Sequence, residues 1–470
     1  MSFVRTSKFR HVFGTPYKPE VCFTDLKADG TGDTNCAVST KFLAVIKGNK
    51  IIVLPIDEPG RQDENSSSFI DAKQKPMDLA WSPHNDYLLV SGHESGDVNG
   101  WVIPREGLKS MMTQPFWEMH GAHTRKVTTV AWHPVAENII ATGGFDPFIV
   151  IWHCENQTPA FQIDVSEQPT NFAWNFDGSR LAITSKEKTK TMSLSVVDPR
   201  TGEVLTKNTE CSKGTKATKV AVLKNGNILT VGAGKMADRT ISLWDGNDVT
   251  NRLCELDAGC SSAVLNFYYD PDLEIFYTFG RGESVIKYYE IEGNNTIHFL
   301  SHYTSKESQK GGNFLPKRGV DYKSCEIARF FKLTTNKCEP TSFTVPRKSE
   351  LFQDDIFPDP ASGEKGLTAD EWIGLQNCDP PTKPFQELES TSTGREPPTV
   401  RKNARKTVPK SVPDHPDNGK SNGTAGVGIA ELMEDIRMLK STVKKLSKRV
   451  TKLEEQSSLE NGGEEEEEEE

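Results

Sequence analysis

The sequence predicts an all-β fold built as a ring of repeated sheets, and three observations lead to this prediction. The first is a stretch, residues 123–152, in which short apolar runs are separated by turn residues such as Pro134, Gly143 and Asp146. Runs of this kind are typical of strands and their turns. The second is that related stretches recur at residues 77–101, 171–197, 220–244 and 265–291. The third is the spacing of 51, 45, 47 and 45 residues between the residues that close them, Trp101, Trp152, Val197, Trp244 and Tyr289.

A repeat of about 40–45 residues with four strands in each unit is typical of WD40-type β-propellers. One unit cannot bury both of its faces, so the units must stack radially into a closed ring. At about 45 residues per blade, a seven-bladed propeller accounts for most of residues 1–345 as one domain. In the clearest blade, His123, Thr142, Asp146 and Trp152 occupy the positions of a buried hydrogen-bonded tetrad, which would fix the geometry of the blade.

The two ends of the propeller are the least regular parts of the pattern. Residues 9–13 are β-like and have no local partner, so we expect them to pair with the last blade and close the ring. Residues 36–56 predict two strands of the first blade. The last blade is predicted to use residues 298–303 and 325–333 as strands, with a long polar insert between them.

Residues 346–378 predict a C-terminal extension packed under the propeller. The segment is polar but carries apolar residues spaced as anchors, namely Leu351, Phe352, Ile356 and Phe357.

Several segments together resemble the coronin family. They are SKFRHVFG near the start, LAWSPHND at residues 79–86, VAWHP at 130–134, YTSKESQKG, LPKRGVDYKSCEIARFFKL and TVPRKSELFQDDIFPD. The resemblance extends from residue 1 to about 378 and resumes near the C-terminus. It implies a seven-bladed propeller that binds filamentous actin, engages the actin-related-protein nucleating complex and acts with cofilin on branch turnover. It also implies a cytoplasmic location in the actin cytoskeleton of the cell cortex.

Residues 379–428 change in composition and predict a disordered linker, because Pro, Ser, Gly and Asn leave too little apolar surface to fold. The linker is basic through Arg395, Arg401, Lys402, Arg405, Lys406, Lys410 and Lys420. Two interpretations remain open. It is either a solvated tether or a second contact with an acidic surface such as actin, microtubules or anionic lipid.

Residues 429–458 predict a parallel coiled coil, and residues 459–470 an acidic tail. Four heptads place Ile429, Ile436, Val443 and Val450 at a, and Leu432, Leu439, Leu446 and Leu453 at d. Asp435 can pair with Lys440, and Arg449 with Glu454, between parallel chains in register. β-Branched residues at a with Leu at d favour two chains. The run from Arg449 to Glu454 instead resembles the trimer motif of short coiled coils, and we favour a homotrimer over a dimer.

Composition limits the partners and the location. The net charge is −10, and seven of these charges come from the terminal glutamates, so the body of the chain is nearly neutral. A nearly neutral body argues against nucleic acid as a partner. The nine cysteines are scattered, and neither an apolar leader nor an 18-residue apolar run occurs, which favours the reducing cytoplasm.

The sequence carries no motif of a known catalytic site. Nucleophile-elbow, zinc-protease and phosphate-loop motifs do not occur, and the ten histidines show no metal-ligand spacing. We therefore predict a binding scaffold that is not an enzyme and needs neither metal nor cofactor. A propeller hydrolase or lyase is less favoured than either an actin-binding protein or a general assembly scaffold.

The predicted filament contact consists of basic side chains. Lys27, in FTDLK, matches a position at which coronins carry a basic residue implicated in filament binding. The other candidates are Arg5, Lys8, Arg10, Arg125 and Lys126. The alternative function is a general WD40 assembly scaffold in vesicle trafficking or for microtubule or membrane partners.

Overall fold

The computed structural model describes residues 6–391, apart from residues 31, 33, 64–67, 166, 294–295 and 350. Within this part of the chain, seven mainly antiparallel sheets form a ring, which confirms the predicted seven-bladed propeller. The predicted coiled coil, the acidic tail and nearly all of the predicted linker lie outside the described residues.

The strands are short, most of them between four and nine residues long. In chain order they are β1 Phe13–Pro16, β2 Phe23–Thr24, β3 Cys36–Val38, β4 Phe42–Lys47, β5 Lys50–Pro55, β6 Gly60–Arg61, β7 Ile70–Asp71, β8 Pro76–Trp81, β9 Leu88–His93, β10 Val98–Val102, β11 Trp117–Met119, β12 Val127–Trp132, β13 Ile139–Gly144, β14 Phe148–His153, β15 Thr158–Asp164, β16 Gln168–Trp174, β17 Leu181–Lys186, β18 Met192–Val197, β19 Val204–Ser212, β20 Lys219–Val222, β21 Ile228–Ala233, β22 Asp238–Trp244, β23 Arg252–Cys260, β24 Leu265–Asp270, β25 Ile275–Gly280, β26 Val285–Glu292, β27 Thr296–Thr304, β28 Gly311–Phe314, β29 Glu326–Leu333 and β30 Lys337–Thr344.

Each of the first six blades has four strands, counted from the ring axis outward. They are β3-β4-β5-β7, β8-β9-β10-β11, β12-β13-β14-β15, β16-β17-β18-β19, β20-β21-β22-β23 and β24-β25-β26-β27. Middle strands such as β13 are buried at every residue, whereas the outer strand β15 is mostly exposed. The middle strands are covered on both faces by the neighbouring blades, and this explains their continuous apolar runs.

Neighbouring blades are held together at the axis by indole hydrogen bonds. The aromatic residue that ends each of three inner strands donates to a carbonyl of the preceding inner strand: Trp81 to Ala37 at 3.1 Å, Trp132 to Ala80 at 2.9 Å and Trp174 to Ala131 at 3.3 Å. The inner strands surround a central channel of about 750 Å³.

The N-terminal segment pairs with the last blade as expected, but the pairing strand is β1, which shares only Phe13 with the predicted residues 9–13. The seventh blade contains β28, β29 and β30, and β1 pairs antiparallel with β30 from Phe13↔Thr344 to Pro16↔Thr341. The short strand β2 pairs further along β30, at Phe23↔Cys338. Just before β1, Phe9 and Val12 are buried in the core of the last two blades. The two ends of the propeller are therefore joined in one sheet.

Three predictions about the irregular blades are wrong. Residues 36–56 form three strands rather than two, because Gly48 makes a tight turn with a positive φ. Residues 298–303 belong to β27, the outer strand of the sixth blade, and not to the last blade. The inner strand of the last blade, β28, lies inside the predicted polar insert.

The composition of β28 explains why the sequence did not reveal it. A Cβ atom on Gly311 would lie 2.0 Å from the Thr34 carbonyl oxygen, and one on Gly312 would lie 2.2 Å from the Phe330 ring. Close packing therefore requires glycines at these positions, and glycine removes the apolar signal of a strand.

Residues 351–391 run along the propeller and contain two helices, α1 Ala369–Ile373 and α2 Phe385–Thr391. Single-turn 3-10 helices occur at Pro19–Val21, Lys317–Gly319 and Tyr322–Ser324. Of the four proposed anchors, Ile356 and Phe357 are buried, whereas Leu351 is 79% exposed and Phe352 is 39% exposed. The helix α2 lies beyond residue 378, the predicted end of the extension.

Trp372 in α1 is fully buried against the propeller. Its ring lies 4.9 Å from the ring of His133 and 5.8 Å from that of Trp174, and its indole N–H donates to the Gly178 carbonyl at 3.2 Å. Thr368 and Glu371 form a capping box at the start of the helix. Trp372 thus covers the ends of two blades, the third and the fourth.

Candidate functional site

The repeated strand order divides the loops of the propeller between two faces. We define the first face by the loops that join second to third strands and fourth strands to the next blade. The loops that join first to second and third to fourth strands form the second face, which also carries residues 351–388. A hydrogen bond of 3.2 Å from Arg281 to the Gly32 carbonyl links two first-face loops. Another, of 3.1 Å, joins His133 Nε2 to the Gly178 carbonyl on the second face.

The predicted tetrad is present beneath the first face. His123 Nε2 lies 2.8 Å from Thr142 Oγ1, which also accepts the Trp152 indole N–H at 2.7 Å. His123 Nδ1 lies 3.3 Å from Asp146 Oδ2. Asp146 also accepts the backbone N–H groups of Thr124 and Arg125, both at 3.1 Å. The network fixes the loop that carries Arg125 and Lys126.

The charge states of the tetrad follow from its burial. Burial lowers the pKa of His123, although Asp146 opposes the shift. Burial alone would raise the pKa of Asp146, but hydrogen bonds from Thr124 and Arg125 and the nearby His123 outweigh it and lower that pKa. Asp146 is therefore ionised near neutral pH, and its charge holds the loop in place.

Two other blades carry parts of the same network. The Trp101 indole donates to Ser91 Oγ at 2.8 Å, and Ser91 Oγ lies 2.8 Å from His93 Nε2. In the fifth blade, Trp244 donates to Thr230 Oγ1 at 2.8 Å. The network is a structural feature of the blades, since these side chains are buried and engaged with one another.

The first face presents far more exposed cations than exposed acids. In its loops the exposed basic side chains are Lys27, Lys73, Arg125, Lys188, Lys190, Lys213, Lys235, Arg281, Lys306 and Lys310. The exposed acidic side chains in the same described loops are Asp29, Glu94 and Glu307. Five of the seven loops between blades carry at least one of these cations, and the others lie in turns between second and third strands, so positive charge is spread around the ring.

The second face has the opposite balance. Its loops expose the acids Asp57, Glu58, Asp63, Glu106, Glu155, Glu203, Asp248 and Asp321, and the cations Arg105, Lys109, Arg180, Lys224 and Lys323. Residues 351–388 add the exposed acids Asp354, Asp355, Asp359, Asp370, Glu371, Asp379 and Glu387, with Lys365 as the exposed cation. The segments before β1 and after β30 add the exposed cations Lys8, Arg10, Arg347 and Lys348, and the exposed acids of this face still outnumber its cations. A nearly neutral body thus contains two faces of opposite character, and the first face suits an acidic partner.

Three of the sequence-predicted contact residues lie on the first face. Lys27 is exposed in the loop between β2 and β3, and Arg125 is exposed in the loop before β12. Lys126 is half-buried, with Nζ 4.6 Å from the centre of the Phe145 ring. Arg125 reaches the Phe145 carbonyl at 3.5 Å. The tetrad fixes both loop residues of the third blade.

The structure places Lys8 and Arg10 away from that face. Lys8 and Arg10 precede β1, which starts at the second face and runs toward the first. The Lys8 ammonium donates to the Asp355 carbonyl, and Ser7 donates to Glu290 at 2.7 Å. Arg5 lies outside the described residues.

Sequence reasoning missed most of the first-face cations, among them Lys188, Lys213 and Lys235. They are scattered along the chain and match no motif. Their place in the repeat could have revealed them, because each lies in the turn after a second strand or in a loop before an inner strand.

Two other kinds of feature, metal sites and membrane-spanning helices, are absent from the described part of the chain. Within it, no group of three or more His, Cys, Asp or Glu side chains could hold a metal ion. Its helices are all too short or too polar to cross a membrane. All nine cysteines are free thiols.

Comparison with known proteins places these features in context. Family models match residues 2–61 (a domain of unknown function, DUF1899), 115–153 (WD domain, G-beta repeat) and 338–380 (a type of WD40 repeat). Coronin-2A of Bos taurus is 36% identical over 392 residues, which cover 80% of this chain and 73% of that protein.

Solved structures show the same fold. The WD40 domain of Toxoplasma gondii coronin matches with a TM-score of 0.72 and 26% identity, covering 80% of this chain and 97% of that one. A chain of the mitotic checkpoint complex matches with a TM-score of 0.52 at 14% identity over 72% of this chain and 95% of its own length, a likeness of fold alone. The identity to coronin-2A extends over most of both proteins, and the chain therefore belongs to the coronin family.

Proposed function

We propose that this protein binds actin filaments through the first face of its propeller and regulates the actin cytoskeleton. The observation that carries the proposal is the excess of exposed cations on that face. An actin filament is an acidic polymer, so a ring of lysines and arginines attracts it and orients the propeller during encounter. We place Lys27, Arg125 and Lys126 in this contact.

The contact of one propeller is expected to be weak and salt-dependent. Exposed ion pairs each contribute about 0.2–1 kcal/mol, and salt screens them. Avidity compensates if the heptads at residues 429–458 join several chains, because the filament repeats its sites. Three chains are favoured over two, through Ile429, Leu432, Ile436, Leu439, Val443, Leu446, Arg449, Val450, Leu453 and Glu454. One oligomer can then cross-link two filaments.

Membership of the coronin family supports the remaining parts of the proposal. The basic linker and the heptads are proposed to engage the actin-related-protein nucleating complex, with cofilin as a further partner. The protein acts in the cytoplasm at the cell cortex, as a binding protein rather than an enzyme. The second candidate function, a general WD40 scaffold for microtubules or anionic membranes, is favoured by the basic linker alone.

Co-sedimentation with actin filaments at low salt tests the proposal. Lys27→Glu and the double variant Arg125→Glu/Lys126→Glu should each weaken binding, roughly two- to fivefold per lost ion pair. Lys109→Glu makes the same charge change as Lys27→Glu but on the second face, so it is the matched control for that variant and should bind like the wild type. Equal binding by all four proteins contradicts the assignment of the face.

The same assay separates the two candidate functions. A general scaffold predicts no co-sedimentation of the wild type, even when the protein is an oligomer. A wild-type protein that does not co-sediment with filaments therefore contradicts the filament proposal itself, whatever the variants do.

A further inference from the structure

Residues 346–349, between β30 and the extension, have no regular secondary structure and are exposed on the second face. Their sequence is Pro346-Arg347-Lys348-Ser349. Among the described residues, Ser349 is the hydroxyl residue preceded directly by two cations. Leu351 follows it with 79% of its surface exposed. A protein kinase needs such an exposed segment, since it binds its substrate as an extended peptide.

Asp355 already binds a cation from the segment that precedes Ser349. Arg347 Nη2 forms an ion pair with Asp355 Oδ2 at 2.5 Å, and the Lys8 ammonium donates to the carbonyl of the same Asp355. The Ser349 hydroxyl accepts the Leu351 backbone N–H at 3.2 Å. This hydroxyl therefore has one backbone donor beside it, and Arg347, two residues earlier in the chain, is already paired with a carboxylate.

We propose that Ser349 is a phosphorylation site for a kinase that reads basic residues N-terminal to its target. In the reaction, Ser349 Oγ attacks the γ-phosphorus of ATP and the bond from that phosphorus to ADP breaks. The hydroxyl proton passes to the carboxylate base of the kinase. The product carries a charge of about −1.5 to −2 at neutral pH.

The existing contacts accommodate the phosphate. Its oxygens accept the Leu351 N–H that now reaches the hydroxyl, and they compete with Asp355 for Arg347 through charge-assisted hydrogen bonds. Phosphorylation thereby re-pairs Arg347 and weakens its link to Asp355. This site lies on the face opposite the proposed filament contact, so it is independent of that proposal.

The test is phosphorylation of the full-length folded protein by the catalytic subunit of cyclic-AMP-dependent kinase with ATP, mapped by mass spectrometry. Site mapping separates Ser349 from Thr407, which also follows two cations but lies outside the described residues. We expect near-complete modification of Ser349, and none at that position in Ser349→Ala. An unmodified Ser349 in the folded chain overturns the proposal, whether or not a peptide of residues 345–354 is modified.

Two variants test the role of the ion pair. Asp355→Asn releases Arg347 from its ion pair, so that the kinase can bind it. The initial rate of phosphorylation at Ser349 should then rise about two- to fivefold, which corresponds to the free energy of one exposed ion pair. Arg347→Gln should lower the rate by at least as much. Rates that do not change in either variant contradict the re-pairing, because an ordinary exposed serine would be insensitive to Asp355.

Discussion

Asp146 shows how one buried carboxylate sets the position of a surface loop. It is 3% exposed and accepts hydrogen bonds from the backbone of Thr124 and Arg125 and from the Thr124 hydroxyl at 2.6 Å. The sequence predicted this residue and its His123 partner because the spacing of the blade motif is local. It could not predict the bonds to Thr124 and Arg125, which depend on how the loop folds over the tetrad.

Asp146→Ala should lower the free energy of unfolding by about 1–3 kcal/mol, because it leaves buried donors without an acceptor. Urea unfolding followed by tryptophan fluorescence measures the change. Asp248→Ala is the control, since Asp248 accepts local turn bonds in an exposed loop. The control should change stability by less than about 0.5 kcal/mol. Similar losses in both variants would count against a special role for the tetrad.

His133 couples stability to pH. Its Nδ1 accepts the N–H groups of Val135 at 3.1 Å and Ala136 at 2.7 Å, while its Nε2 is 3.1 Å from the Gly178 carbonyl. The folded protein therefore holds the neutral ring, and burial lowers its pKa to about 3. The unfolded chain binds a proton near pH 6.5, so stability is full above that pH and is lost as the pH falls toward 3.

Between pH 7 and pH 5, this residue alone should remove about 2 kcal/mol from the free energy of unfolding. His133→Asn keeps a side-chain acceptor but does not titrate. Between pH 7 and pH 5 the variant should therefore lose about 2 kcal/mol less of its free energy of unfolding than the wild type loses. Urea titrations at both pH values give the slope. An unchanged slope in His133→Asn would refute the coupling.

At the scale of the element, local patterns predicted the regular blades and failed where strands come from distant parts of the chain. The three strands of residues 123–152 were identified because apolar runs and turns alternate there. The strand β28 was missed because Gly311 and Gly312 make the close contacts. Residues 298–303 were assigned to the wrong blade, because β28 was not recognised and these residues were taken as the first strand of the last blade.

The closure strand offers a test with a matched pair of residues. Phe9 is 1% exposed and packs in the core of the last two blades, whereas Phe13, at the start of β1, is 47% exposed. Phe9→Ala should cost about 3–5 kcal/mol and lower the melting temperature, while Phe13→Ala should have a much smaller effect. Removal of the first 14 residues should destabilise the whole propeller at least as much as Phe9→Ala. A truncated protein that melts like the wild type would show that closure does not depend on this segment.

At the scale of the whole molecule, the distribution of charge could not be read from the sequence. Lys8, Arg10 and Lys27 are close along the chain, yet the path of β1 places the first two on the second face and Lys27 on the first. Conversely, the ring closure and the repeat of the blades bring Lys27, Lys188 and Lys235 to one face from distant positions. Composition indicated a nearly neutral body, whereas the fold separates that charge into a basic and an acidic face.

The avidity proposed for the heptads gives the last prediction. A single chain, which binds weakly through its first face, should still pellet with filaments at low salt, but it cannot bridge two filaments. Removal of residues 429–470 should therefore abolish filament bundling in low-speed sedimentation and leave weak binding in high-speed sedimentation. Removal of residues 459–470 alone takes away the acidic tail and keeps every heptad, so it should preserve bundling. Bundling that survives the longer deletion means that one propeller carries two filament contacts, and a second basic surface must then be sought on the propeller itself.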